Sequence, residues 1–298
     1  MIYFVYPYSD IWEYMVAGID GKHAVCRPLN PSCNKMQLVC RKLFNNSRLP
    51  GFLLFGSRML SELRALGDGD TVLIADYIDV CLFGSIRAIV RPSVRLCLWI
   101  WNPVKEAKRT EMESVYAAIA QAGFEISTFD KGDAERYHQR LLNQFFRMRQ
   151  TLSYVHPKYD FYFIGFEKNR GTIIRELKEK LQGYRIYFKV VSKLSEGIPY
   201  SENIANIAQT RCVIDIVQDG QTGITLRPLE ALAFRKKLIT NNRNIINYDF
   251  YSPNNIFVIG VDDFARLDGF LNTEFQPILT DVISKYDIMT WLSNFINR

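Results

Sequence analysis

Short apolar runs alternate along this chain with longer stretches in which apolar residues recur every three to four positions. Ile2–Tyr6, Thr71–Ala75 and Val94–Ile100 are rich in β-branched and aromatic residues, as expected of strands buried on both faces. Helical periodicity falls between them, over Cys33–Phe44, Arg58–Leu66 and Ala107–Ala122. Gly123–Phe129 reads as a further strand. Asp133–Thr151 reads as an amphipathic helix with Tyr137, Leu141, Leu142, Phe145 and Phe146 on its apolar side. After a turn at His156-Pro157 the alternation resumes with strand Asp160–Gly165, helix Thr172–Leu181 stopped by Gly183, strand Arg185–Val191, helix Ser201–Gln209 and strand Cys212–Val217. A last strand, Ile256–Ile259, precedes helices over Glu274–Tyr286 and Ile288–Asn297. This alternation predicts parallel sheets covered by helices.

The 298 residues exceed one average domain. They divide into two Rossmann-like α/β halves, 1–153 and 154–298. A hydrophobic content of 48% excludes a disordered chain, and no apolar run approaches the ~20 residues that span a bilayer. Met1–Tyr6 meets Pro7 and Asp10 early and reads as a strand, not a leader, so a soluble cytoplasmic protein is expected. Six cysteines (Cys26, Cys33, Cys40, Cys81, Cys97, Cys212) are scattered, three of them in strand-like runs, and read as buried thiols. Cys26, Cys33 and Cys40 are evenly spaced, but Pro28 and Pro31 interrupt them and no His completes a tetrahedral zinc set. The net charge of +6 is uneven. Residues 1–64 carry eight Lys/Arg against four Asp/Glu, a balance of +4, which suits a solvated mixed surface or contact with anionic lipid. No nucleic-acid-binding motif accompanies that charge.

The chemistry-bearing residues follow predicted strands, where parallel sheets bind ligands. After Cys212–Val217, the segment Gln218-Asp-Gly-Gln221-Thr222-Gly223-Ile-Thr225-Leu-Arg227-Pro-Leu-Glu230 combines a glycine loop with a helix start whose first N–H groups suit a phosphate. Arg227 stands in that first turn, where the helix dipole disfavours a cation unless an anion is near. After Phe161–Ile164 come Lys168 and Arg170, a point charge and a bidentate guanidinium, with Gly171 and Thr172 opening a helix. In the first half, Asp10 follows the first strand, Asp76 and Asp79 follow Thr71–Ala75, and Trp101 and Asn102 follow Val94–Ile100. A carboxylate there could act as a base.

Two segments resemble bacterial GT-B glycosyltransferases of the lipopolysaccharide and capsule type: Asp160-Phe-Tyr-Phe-Ile-Gly165-Phe-Glu-Lys168-Asn-Arg170-Gly171, and Gln218 to Asn242 with its Arg227-Pro-Leu-Glu230 and Lys236-Lys-Leu-Ile-Thr240. Ile246–Ile256 fits the same pattern. The resemblance implies two Rossmann-like domains facing a cleft, with the first binding a glycan or glycolipid acceptor and the second a nucleotide-sugar donor. It implies a final helix packed back on the first domain. By the same resemblance Glu230 binds the donor ribose, and Gln221, Thr222, Gly223 and Thr225 face its diphosphate. Lys168, Arg170 and Arg227 would then neutralise the leaving diphosphate without a metal or other cofactor, with Asp76 or Asp10 as the base. The family's retaining pair of acids is incomplete, since Thr222 stands where the first would be; this favours inversion.

Other motifs are missing. Neither a phosphate-binding G-x-x-x-x-G-K-[ST] nor a G-x-G-x-x-G after the first strand occurs. Asp68-Gly-Asp70 precedes a strand and reads as a turn. His23, His138 and His156 are far apart in sequence. A GT-B-fold nucleotide-sugar epimerase and a non-catalytic scaffold of polysaccharide assembly remain alternatives.

Overall fold

The computed structural model describes residues 1–19, 21–29, 55–76, 80–150, 155–167, 170–218 and 221–296. The helix expected over 33–44, with Cys33, Cys40, Asp79 and Lys168, lies outside them. The chain forms two units, Met1–Leu142 with Leu292–Arg298, and Asn143–Trp291.

In the first unit the elements run β1 Ile2–Pro7, α1 Asp10–Val16, β2 Ala24–Leu29, α2 Ser57–Ala65, β3 Thr71–Ala75, α3 Val80–Ile89, β4 Arg95–Ile100, α4 Arg109–Gln121, β5 Phe124–Thr128, α5 Lys131–Tyr137 and β6 Arg140–Leu141. The strands form a parallel sheet in the order β2-β1-β3-β4-β5-β6. The apolar runs are central because helices cover both faces: Val72, Leu73, Ile74 and Leu98 are sealed, and Phe83 of α3 meets Phe124 edge-on at 4.8 Å. Pro28 is tolerated because, among the described residues, β2 lies at the sheet edge and pairs only with β1.

The second unit repeats this wiring with β7 Tyr159–Phe166, α6 Gly171–Lys180, β8 Ile186–Val191, α7 Tyr200–Ala208, β9 Thr210–Asp215, α8 Leu226–Ala233, β10 Lys237–Thr240, β11 Ile256–Val258, α9 Leu267–Asn272, α10 Thr280–Ser284 and α11 Ile288–Leu292. Its parallel order is β11-β10-β9-β7-β8. In each sheet the winding reverses once, between β1 and β3 and between β7 and β9. Such reversals open a crevice at the strands' carboxyl ends.

Three expectations are corrected. The helix expected over 133–151 ends at Tyr137, because His138 turns left-handed (φ 53) and Gln139 N–H bonds back to the Ala134 carbonyl at 3.0 Å. Arg140–Leu141 then pairs in parallel beside the end of β5, and Phe145 and Phe146 belong to the second unit, where Phe145 stacks on Trp291 at 3.9 Å. Helical spacing was present in the sequence, but a strand edge and a distant apolar site compete for the same residues. The helix expected over 274–286 shrinks to Thr280–Ser284. Pro277 opposes helix before it, and Gln276 instead pairs through its backbone with the Asn255 amide at 2.7 and 2.8 Å. Strand Cys212–Val217 runs two residues earlier, as Thr210–Asp215. Beyond α11, the Phe295 carbonyl accepts from the Thr71 hydroxyl at 2.7 Å. No described helix is long and apolar enough to cross a membrane.

Glu62 ties the edge of the first sheet together. It accepts Arg27 Nε and Nη2 at 2.9 and 2.7 Å and the Tyr3 hydroxyl at 2.7 Å, and the Arg27 bonds foremost hold its carboxyl down at about 2. A depressed carboxylate stabilises the fold above its unfolded pKa, and that contribution disappears as pH falls through the folded value. Glu62→Gln should therefore lower the urea midpoint at pH 7, with the gap to wild type closing between about pH 4.5 and pH 2.

Candidate functional site

At the reversal in the second sheet, β9 ends in Asp215, a carboxylate 2% exposed. Its Oδ1 accepts the Thr225 hydroxyl at 2.8 Å and its Oδ2 the Thr240 hydroxyl at 2.9 Å. Burial raises its pKa; the two hydroxyls and the charges of Arg227 and Arg170 pull the other way. Thr225 also caps α8, accepting the Arg227 N–H at 3.2 Å. One side chain thus joins the strand end to the helix start.

The guanidinium of Arg170 bonds the carbonyls of Phe166, the last residue of β7, and Ile216, just beyond β9, and so bridges the crevice. Its Nε is buried without a hydrogen-bond partner, and burial lowers its pKa. Gly165 makes room for it: a Cβ there would stand 3.4 Å from Arg170 Nη2 and 3.2 Å from the Phe163 ring. Arg227 bonds the Ile164 carbonyl, its Nε stands 3.6 Å from Glu230 Oε2, and its buried Nη1 has no hydrogen-bond partner. The anions that justify a cation in this first turn therefore include Asp215 and Glu230 of the chain itself.

Glu230 is 2% exposed, so it is no ordinary surface acid. Its Oε1 accepts from the Tyr200 hydroxyl at 2.7 Å and Asn203 Nδ2 at 3.2 Å, while Oε2 is buried with no hydrogen-bond partner. The loop before α8 is stitched from within. Gln221 Nε2 and Asn242 Nδ2 both donate to the Gly223 carbonyl at 3.3 Å, Asn244 Nδ2 reaches the Thr222 carbonyl at 3.4 Å, and Asn241 pairs with both backbone groups of Val217. The helix start offers fewer donors than its sequence suggests, since Thr225 takes the Arg227 N–H and Pro228 has none.

Arg170, Gln221, Thr222, Gly223, Thr225, Arg227 and Glu230 thus belong to the loops and helix starts around one sheet edge. Sequence reasoning left Asp215, Thr240, Asn241 and Asn242 without roles. The signal for Asp215 was there: a lone acid at the end of an apolar strand.

In the first unit, Asp76 follows β3 directly with φ 50, a strained value for a residue with a side chain. Oδ1 accepts Trp101 N–H at 3.2 Å and Oδ2 accepts Asn102 Nδ2 at 2.7 Å. Burial outweighs these bonds and raises its pKa to about 6. Asp10 also borders the reversal, after β1, but it is exposed and opens α1, where it accepts the Ile11 N–H at 3.0 Å. At the end of β4, Trp99 is sealed, while Trp101 just after it is half-buried against Trp12, the ring centroids 4.5 Å apart.

No protein-family model matches the chain, and no curated protein does. Among solved structures it is similar to Anabaena Alr3699/HepE, crystallised in complex with UDP, with a TM-score of 0.50 over 98% of this chain and 97% of that one at 9% identity. What the two share is a fold.

Thr225→Val would remove a helix cap and half the hydrogen bonding of a buried carboxylate. It should cost about 1–3 kcal/mol in urea unfolding, with Thr225→Ser retaining most of the stability.

Proposed function

We propose that the chain is a nucleotide-sugar glycosyltransferase of the two-domain GT-B kind, taking its donor at the carboxyl edge of the second sheet and transferring the sugar to a glycan or glycolipid. The observation that carries this reading is the end-to-end fold likeness to a protein crystallised with UDP. The arginine pair at the sheet reversal and the loop from Gln221 to Thr225 support it.

In this reading Arg170 and Arg227, with Lys168, balance the negative charge that grows on the departing nucleoside diphosphate, a role that needs preorganised donors. Arg170 Nε and Arg227 Nη1 are donors not spent within the protein. The buried Oε2 of Glu230 is the remaining acceptor for a donor ribose hydroxyl. Gln221, Thr222, Gly223 and Thr225 shape the loop toward the diphosphate. Asp76 takes the proton from the acceptor hydroxyl, and a pKa of about 6 leaves it ionised yet basic near neutral pH. Asp10, whose carboxylate is engaged at a helix start, is the weaker candidate. With one base and no second acid in the Thr222 position, transfer proceeds with inversion. The acceptor is a lipopolysaccharide, lipooligosaccharide or capsule glycan at the inner face of the cytoplasmic membrane, with the basic 1–64 segment turned toward anionic lipid.

Thermal unfolding with UDP, GDP, ADP and CMP tests the donor site. At a hundredfold excess over Kd, the correct nucleotide contributes about 2.7 kcal/mol and should raise Tm by several degrees. Arg227→Ala should abolish that shift; no shift with any nucleotide would refute the donor assignment. For the base, Asp76→Asn should lower kcat by about 10²–10⁴ while leaving the nucleotide shift intact. The wild-type rate should fall tenfold per pH unit below about 6 and level off above it.

A further inference from the structure

Just past β4, Trp101 and Asn102 stand beside Asp76 and reach solvent. β3 lies between β1 and β4, so the residues that follow these strands sit side by side at the winding reversal. Asp76 is fastened there by three bonds: its N–H to the Trp99 carbonyl at 2.8 Å, and its carboxylate to the Trp101 N–H and Asn102 Nδ2. The residues at the end of β4 therefore hold its left-handed turn in place. Strain held this firmly at a strand end points to a use beyond folding.

Trp101 is the solvent end of an aromatic stack. Phe4, Tyr6 and Trp12 are buried, with Trp12 edge-on to Phe4 at 5.7 Å and stacked on Tyr6 at 6.0 Å; Trp101 rests on Trp12 and stays partly exposed. A ring backed by packed rings loses little freedom when an apolar surface covers it. Asn102 is exposed, and the one amide hydrogen it gives to Asp76 leaves a second N–H and a carbonyl to offer. Asp76 is itself partly exposed, and its carboxylate, met by Trp101 and Asn102, has room for a further donor. Asp76 Oδ2 and Asn102 Nδ2 are 2.7 Å apart, so the two side chains match hydroxyls on neighbouring ring carbons, one giving its hydrogen to the carboxylate and the other meeting the amide. The donors on Asp76 are neutral, and no cation acts on it among the described residues, so a lipid phosphate would be repelled there.

We propose that Trp101 and Asn102 select the acceptor's terminal sugar, a neutral pyranose whose apolar face covers the Trp101 ring while a hydroxyl next to the reacting one bonds Asn102. The assignment rests on the transferase reading, in which Asp76 takes the acceptor proton, and adds to it the two residues that choose the acceptor.

Saturation-transfer NMR on the full chain tests it, with the methyl glycosides of glucose, galactose, mannose and rhamnose, their monodeoxy analogues, uridine and geranyl phosphate as probes. Transfer to at least one glycoside is expected, about tenfold weaker in Trp101→Ala and largely kept in Trp101→Phe. Loss of one particular ring hydroxyl should weaken wild-type binding about tenfold, and Asn102→Ala should erase that preference. Asn102→Ala alters an exposed side chain, so it remains decisive if Trp101→Ala fails to fold. The nucleotide-induced Tm shift should be the same in all three variants as in wild type. A wild-type nucleotide shift with no transfer to any glycoside would overturn this assignment and spare the donor site. Glycoside transfer that Trp101→Ala weakens, with no nucleotide shift, would refute the donor reading and leave the sugar site standing. Undiminished transfer in Trp101→Ala, an unchanged deoxy preference in Asn102→Ala, or displacement of the glycoside by uridine or geranyl phosphate would also overturn the assignment.

Discussion

A carboxylate buried at the end of a parallel strand must be compensated, and the organisation of the second sheet's carboxyl edge follows from how Asp215 is. Two threonine hydroxyls satisfy its oxygens, one from the cap of α8 and one from the end of β10. Two guanidiniums supply the opposing charge. Each partner carries its own element with it: Thr225 sets the start of α8, Thr240 aligns β10, and Arg170 clasps the ends of β7 and β9. In low dielectric an unpaired member of this set would be expensive, so the four positions constrain one another.

The two halves of the molecule use one wiring plan and different chemistry. Both sheets reverse their winding beside the first strand of the unit, and both place polar residues at that point. In the second unit the reversal gathers arginines around buried acids. In the first it holds Asp76 in a left-handed conformation with its carboxylate on Trp101 and Asn102. In the proposed transfer the fixed cations of the second unit would answer a departing anion, and the carboxylate of the first, raised toward neutrality, would take up a proton.

Glu62 and Asp76 make a further contrast. Glu62, gripped by a guanidinium, is pushed down to about 2; Asp76, buried with only neutral donors, is pushed up to about 6. The sign depends on whether a cation accompanies burial. Neither outcome was visible in the chain order, since Arg27 is far from Glu62 in sequence and Asn102 far from Asp76.

Local pattern was sufficient for most strands and helices. Runs such as Thr71–Ala75 and Phe161–Ile164 have a burial requirement that only a central strand meets, and Gly183 stops its helix by backbone preference alone. The same pattern identified the loops after the strands as the place for chemistry, because parallel topology leaves their carboxyl ends open. It failed over 138–150 and 274–279, where spacing favoured helix but the edge of β5, the Trp291 site and the Asn255 amide offered those residues better partners. It held no clue to the partners of Asp215, a lone acid at the end of an apolar strand, and it left Glu230 open between surface acid and buried one. Propensity and periodicity act over a few residues and so can be read from the chain, whereas the compensation of a buried charge is settled by groups that folding alone brings together.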